Sequence, residues 1–166
     1  MPKAISPDAF KSIMRHVPTG VTIVTTEYEG KQRGLTANAF ASVSLDPPLV
    51  LVCVNRTASS HDYITKSGIF CVNLLAVEQV DLAQRFASRS ADDRFAGIPF
   101  SKGASGSPVL ERVLAYIDCR LLAAHEAGSH TIFIGEVLGC GSRHGKPLGY
   151  FDGDYRDFGH SIEARE

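Results

Sequence analysis

No stretch of this 166-residue chain is basic enough to serve as a nucleic-acid or anionic-membrane contact, and none approaches the ~20 apolar residues of a membrane span. The opening Met1-Pro2-Lys3-Ala4-Ile5-Ser6 lacks the apolar run of a secretory leader, and the two absences together set the expectation of a cytoplasmic protein. The four cysteines, Cys53, Cys71, Cys119 and Cys140, form no C-x-x-C pair, and no Cys or His pair has zinc-ligand spacing. Cys53, Cys71 and Cys119 lie in apolar runs and read as buried, reduced and inert. No G-x-G-x-x-G follows a strand, so a nicotinamide dinucleotide would have to bind without that motif. Strands do not alternate regularly with helices, which argues against a doubly wound fold. No repeat, linker or low-complexity segment marks a second domain, so residues 1–166 read as one.

What is present is a real core. Hydrophobic residues make up 44% of the chain and charged residues only 21%, with a formal net charge of −1. A first helix is announced by Ser6 as cap, Pro7 in the first turn and Asp8 complementing the dipole. Ala9, Phe10, Ile13, Met14 and Val17 form its apolar stripe, and Pro18 and Gly20 stop it. Residues 20–26 are rich in β-branched side chains and predict a strand, with Glu29-Gly30 turning a hairpin that returns through Gln32 to Thr36. Leu49 to Val54 is wholly apolar and predicts a strand buried on both faces. Ser59 and Ser60 are placed to cap a short helix that Gly68 ends, and Ile69 to Leu75 is a further core strand. Glu78 to Ala87 reads as a helix with Val80, Ala83, Phe86 and Ala87 inward. Ser88 to Pro108 shows no period and reads as a long surface excursion.

Val113 to Leu122 alternates cleanly, with Tyr116, Asp118 and Arg120 on the face opposite Ile117, Cys119 and Leu121. Gly128-Ser129 is a turn, Thr131 to Cys140 a strand, and Lys146 to Arg156 a short strand with an aromatic turn. Six or so strands with few helices argue for an antiparallel β-barrel with helical decoration.

Three segments carry chemistry. Asn55-Arg56-Thr57-Ala58-Ser59-Ser60 follows a strand and opens a helix, which suits a phosphate: amide and hydroxyl donors, a fixed positive charge and free backbone N–H groups. An ordinary strand-to-helix connection has the same residues. Thr36-Ala37-Asn38 offers small side chains that let a planar heterocycle approach the backbone, and an amide for its edge; a strand end with a turn asparagine reads identically. His130, after a Gly-Ser turn, either reaches a barrel mouth or is a half-exposed strand-end histidine. Tyr150, Phe151 and Tyr155 suit ring stacking, a core or a dimer interface equally well. Asp92-Asp93-Arg94 reads as a solvated charge cluster rather than a contact to a cofactor tail, and Asp118 and Glu126 show no acid–base partner. No Ser, Asp or Cys makes His130 part of a nucleophilic triad.

In order and spacing, the runs from Thr19 to Thr26, Gly34 to Leu45, Pro47 to Val52, Phe70 to Leu75, Gly106 to Glu111, Ala115 to Cys119 and His130 to Val137 resemble the flavin reductases of the FMN-binding split-barrel fold. These are the small reductase components of two-component flavin-dependent monooxygenases. The resemblance implies a mainly β, antiparallel Greek-key split barrel with a few flanking helices, acting as a homodimer with the flavin near the interface. It implies NAD(P)H:flavin oxidoreductase activity with FMN or FAD, NADH or NADPH as co-substrate, and a monooxygenase that receives reduced flavin. It places Thr36, Ala37 and Asn38 against the isoalloxazine, with Leu35 and Ser42 among the flavin-binding positions. Asn55, Arg56, Thr57, Ala58, Ser59 and Ser60 would hold the ribityl phosphate, and Phe86 would flank the flavin. His130 and the turn of Tyr150, Phe151, Asp152 and Gly153 would meet the nicotinamide. Ser129 stands where the family often has an acidic residue before the histidine. Three other functions are compatible with the same residues: a flavin-binding electron carrier or sensor, an oxidase of the pyridoxamine-phosphate type, and a β-barrel interaction module.

Overall fold

Ser6 Oγ accepts from the Ala9 N–H at 3.2 Å and starts helix α1 (Pro7–Met14) at the position its capping chemistry requires. The computed structural model describes residues 4–88 and 94–160. The apolar stripe of α1 finds no cover among the described residues: none of its residues is buried, and Phe10 and Ile13 are 60% and 64% exposed. After β1 (Thr19–Gly20) come β2 (Thr22–Tyr28) and β3 (Lys31–Ala37), joined by the expected hairpin. Glu29 and Gly30 both have positive φ, 49° and 73°, which two-residue turns of this hand need. Strands β4 (Phe40–Leu45) and β5 (Pro48–Asn55) form a second hairpin, and β5 leads into helix α2 (Ser59–Ser67). Gly68, at φ 68°, ends α2 by donating its N–H to Ile64 O at 2.9 Å.

Strand β6 (Ile69–Leu74), a 3-10 turn at Val77–Gln79 and helix α3 (Val80–Ala87) follow. Then come β7 (Phe100–Lys102), β8 (Pro108–Leu110), and the two 13-residue strands β9 (Ala115–Ala127) and β10 (His130–Ser142). The β11 (Leu148–Phe151) and β12 (Asp154–Asp157) hairpin closes the described chain. Seven strands make one antiparallel sheet in the order β3-β2-β6-β9-β10-β5-β4. Consecutive strands β3 and β4 therefore lie at its opposite ends, and the sheet curls so that β3 comes back into contact with β5. The mainly β, split-barrel expectation holds.

Two apolar cores fill the molecule. One, inside the curl, joins Val24, Val52, Phe70, Val72 and Phe133. The other, between the sheet and α3, joins Ile23, Leu75, Phe86, Leu110 and Leu148.

Four readings need correction. Strand β5 is not buried on both faces: Val50, Val52 and Val54 are buried while Leu49, Leu51 and Cys53 are half-buried, because no layer of the described residues packs on its outer side. Residues 94–108 of the excursion are structured. Phe95, Ile98 and Phe100 pack on the second core and β7 pairs with β8, apolar anchors too irregularly spaced to register as a period. The cap of α2 is Ala58, with no side-chain hydrogen bond, so Ser59 and Ser60 are its first helical residues. Asp118, on the polar face of β9 by alternation, is fully buried. The loop from Gly103 to Ser107 folds over it, and its carboxylate accepts from Ser105 N–H and Ser105 Oγ, both at 2.6 Å. Burial, with Asp118 alongside, raises the Cys71 thiol and pushes that of Cys119 up to about 12, which leaves both as inert as the sequence suggested. Cys140 is exposed.

Candidate functional site

Strand β3 is an edge of the seven-stranded sheet, so one side of its backbone has no strand neighbour. Gly34 O points to that open side, where it accepts from Arg94 Nη1 at 2.8 Å. By the two-residue period of a strand, the N–H and C=O of Thr36 face the same way. Thr36 Oγ1 is turned aside to donate to Ala83 O of α3 at 2.6 Å. What remains at Thr36 is a donor and an acceptor unpaired among the described residues, on a rigid edge, the pattern a heterocycle with an adjacent N–H and C=O can match.

That edge opens into a cavity of about 530 Å³ in the split of the barrel. Leu35 and Thr36 form its floor, and Phe86 and Ala87 of α3 one wall. Phe86 is held rigid from behind: it is 1% exposed, and Phe95 meets it edge-on with ring centroids 5.2 Å apart. Gly34 permits the approach of α3, since a Cβ there would lie 2.7 Å from the Phe86 ring.

Asn55, Thr57, Ala58 and Ser59 line the facing wall. Asn55 Oδ1 accepts from both the N–H and Oγ1 of Thr57 at 2.9 Å, a local turn that sets the entry to α2. Among the described residues, the N–H groups of Ser59 and Ser60 have no acceptor, the orphan donors of a helix start without a capping side chain. The buried Ser60 Oγ also lacks a partner. His61 anchors this start from behind, with Nε2 2.8 Å from Thr131 Oγ1 of β10 and its ring against Phe133. A cavity ending in unpaired amides at a helix start favours an anion.

A second cavity of about 210 Å³ shares Thr36 and Ala87 with the first and is lined further by Ala37, Asn38, Tyr150 and Tyr155. The tyrosine rings meet edge-on with centroids 5.6 Å apart. The two spaces thus run along one strand edge, from the amides of α2 to a pair of aromatic rings.

The structure brings together Leu35, Thr36, Ala37, Asn38, Asn55, Thr57, Ala58, Ser59, Phe86 and Tyr150. It leaves other expected residues off the cavity walls. Arg56 is exposed, with Nη1 3.5 Å from Glu126, so its charge is turned to the surface rather than into the cradle. Ser42 is exposed on edge strand β4. Ser60 lies beneath the wall. Phe151 ends β11, and Asp152 and Gly153 form the β11–β12 turn, taking φ of 52° and 85°, with Asp152 N–H donating to Arg15 O. His130 stands opposite Asn55 in register, beside the cavity mouth, and its Nδ1 lies 2.9 Å from Ser129 Oγ. The hydroxyl of Ser129 is thus the side-chain partner of the His130 ring.

Arg94 is the residue the sequence misjudged. It is a cavity-wall residue, half-buried, and its guanidinium donates to Gly34 O and Ser88 O. Its charge run pointed to solvent; the neighbouring Phe95, anchored in the second core, was the signal that could have drawn it inward. Asp92 and Asp93 lie outside the described residues.

Residues 14–159 match the flavin reductase-like domain family. The chain is 43% identical over 154 residues to the reductase subunit HsaB of a flavin-dependent monooxygenase from Rhodococcus jostii, covering 92% of this chain and 78% of that protein. Its structure matches the Streptomyces globisporus NADH:FAD oxidoreductase SgcE6, solved with NAD and FAD fragments, with a TM-score of 0.86, 34% identity, and 95% and 97% coverage of the two chains. It matches flavin reductase HpaC, solved with NADP+, with a TM-score of 0.84, 35% identity, and 92% and 98% coverage.

Proposed function

The chain belongs to the flavin reductase-like domain family, and on that premise we propose that it is an NAD(P)H-dependent flavin reductase that supplies reduced flavin to a monooxygenase. It works in the cytoplasm as a homodimer. The observation that carries the reading is the channel-like run of two adjoining cavities, sharing Thr36 and Ala87, from the unpaired Ser59 and Ser60 amides along the open Thr36 edge to Tyr150 and Tyr155. Phosphate, ring edge and stacking partner of a flavin find their complements in that order.

Bound flavin supplies the hydride acceptor, so the reaction asks the protein for no nucleophile and no strong base. The chain's residues act by position. The amides of Ser59 and Ser60 hold the phosphate. Thr36 offers its N–H and C=O to the ring edge, and Asn38 an amide at the boundary of the two cavities. Phe86 fixes one face of the channel and leaves the other to the nicotinamide, which converts an encounter of two diffusing rings into a positioned one. His130, oriented by Ser129, contacts the nicotinamide nucleotide without moving a proton. Dimerisation accounts for the half-buried outer face of β5, for Val43 and Leu45 on β4 at 46% and 93% exposure, and for the uncovered stripe of α1.

The test is an anaerobic titration with NADH and NADPH in the presence of FMN or FAD. Flavin bleaching in catalytic excess over protein is expected. Flavin binding without turnover would assign the chain as a carrier or sensor, and turnover only with pyridoxamine phosphate would assign the oxidase. His130→Ala is expected to raise KM for the nicotinamide nucleotide about tenfold with a smaller change in kcat, the mark of a lost binding contact. Unchanged kinetics with both nucleotides would remove His130 from the site.

A further inference from the structure

The cavity holds a cation that the binding of a single phosphate leaves unexplained. Arg94 has no carboxylate within ion-pair distance among the described residues, and Arg33, whose charge acts on it, is also positive. Burial lowers its pKa, but a guanidinium stays charged. Of its five N–H donors, one is given to Gly34 O and one to Ser88 O, and Nε is buried without a partner. A half-buried charge with donors to spare, and with no carboxylate partner among the described residues, is costly unless a ligand completes it.

Its position decides which anion. Arg94 is fastened to the open edge of β3 and the carboxyl end of α3, whereas the unpaired amides belong to the first turn of α2. Both line the same cavity, from different walls. A monophosphate at the start of α2 is met by its amides. A ligand with a second phosphate in tandem reaches across to the guanidinium, and Arg pairs with phosphate oxygens through its planar fork.

From this arrangement we infer that Arg94 is a specificity residue for a flavin diphosphate, so that this chain selects FAD over FMN. The inference rests on the flavin reading above and names the form of flavin that site takes.

Dissociation constants for riboflavin, FMN and FAD form a ladder of none, one and two phosphates. The wild-type protein is expected to gain affinity at both steps, with FAD bound about tenfold or more tighter than FMN. Arg94→Met is expected to erase the second step and keep the first, and Arg94→Lys, which retains charge but not the fork, to restore part of it. Higher salt is expected to narrow the FAD-to-FMN ratio in the wild type and not in Arg94→Met. Equal binding of FMN and FAD by the wild type overturns the inference whether or not the variants fold. An unchanged FAD-to-FMN ratio in Arg94→Met also overturns it, whatever happens to the constants for NADH or NADPH. Failure to bind any of the three flavins sinks the flavin reading itself, a separate result.

Discussion

Ser59→Asp is expected to weaken FMN binding by on the order of a hundredfold while leaving riboflavin binding within about threefold. Ser59 is the first residue of α2; it is exposed, lines the cavity, and its side chain makes no hydrogen bond among the described residues. The new carboxylate would stand where the phosphate meets the helix start. Two negative charges about 4 Å apart repel by roughly 4 kcal/mol at an effective dielectric constant near 20, and water at this exposed position reduces that to the hundredfold range. The same charge suits the helix itself: an acid in the first turn complements the dipole and adds about 0.3–1 kcal/mol. Melting temperature and flavin affinity should therefore move in opposite directions. A purely structural role for the Asn55–Ser60 loop gives the reverse pattern, with FMN and riboflavin affected alike or neither affected. Fluorescence quenching of the two ligands and a thermal melt of the ligand-free protein decide between them.

How much of this was legible in the sequence depends on whether the deciding interaction is local. The α1 cap, the Glu29-Gly30 turn and the Gly68 stop are settled within four or five residues, and each stands where capping and turn chemistry put it. The chemistry of Asn55–Ser60 was also local, since a polar run between a strand and a helix exposes amides whatever else the fold does. Its details were not. Ser59 looked like a cap because serines usually are, but the Asn55–Thr57 turn moves the boundary so that Ala58 takes that position and the amides stay unpaired.

The larger misreadings are tertiary. Asp118 alternates with apolar neighbours like a solvated strand residue, and only the Gly103–Ser107 loop, folded back from 13 residues upstream, makes it buried. Arg94 sits in a polar run, and only the packing of Phe95 onto Phe86 draws it to the cavity wall. Arg56 went the other way, drawn outward to Glu126 on β9, a neighbour no local pattern names.

Asn73→Leu is expected to cost about 3–5 kcal/mol of stability and, in the protein that remains folded, to loosen a flavin site that Asn73 does not touch. Asn73 is fully buried on β6. Its Nδ2 donates to Ile23 O and Thr25 Oγ1, each at 3.0 Å, and its Oδ1 accepts from the Leu110 N–H at 2.8 Å. Thr25 Oγ1 in turn donates to Pro108 O at 2.5 Å. This one amide and its threonine neighbour therefore stitch β8 to the centre of the barrel. Leucine has nearly the same reach, so the loss is polar rather than volumetric. The Leu110 N–H is left buried without an acceptor, at about 1–3 kcal/mol, and two further bonds of about 1 kcal/mol each disappear. The consequence for the site follows from what β8 carries. It pairs with β7, whose Phe100 packs edge-on against Phe95, which backs Phe86 in the cavity wall. A loosened hairpin frees that aromatic stack, so flavin affinity should fall in Asn73→Leu although none of its atoms touches the cavity. Urea unfolding monitored with and without flavin measures both effects. A variant as stable as the wild type would show that the buried amide is not what fastens the hairpin. Full flavin affinity in a destabilised variant would show that Phe86 keeps its place without the stack behind it.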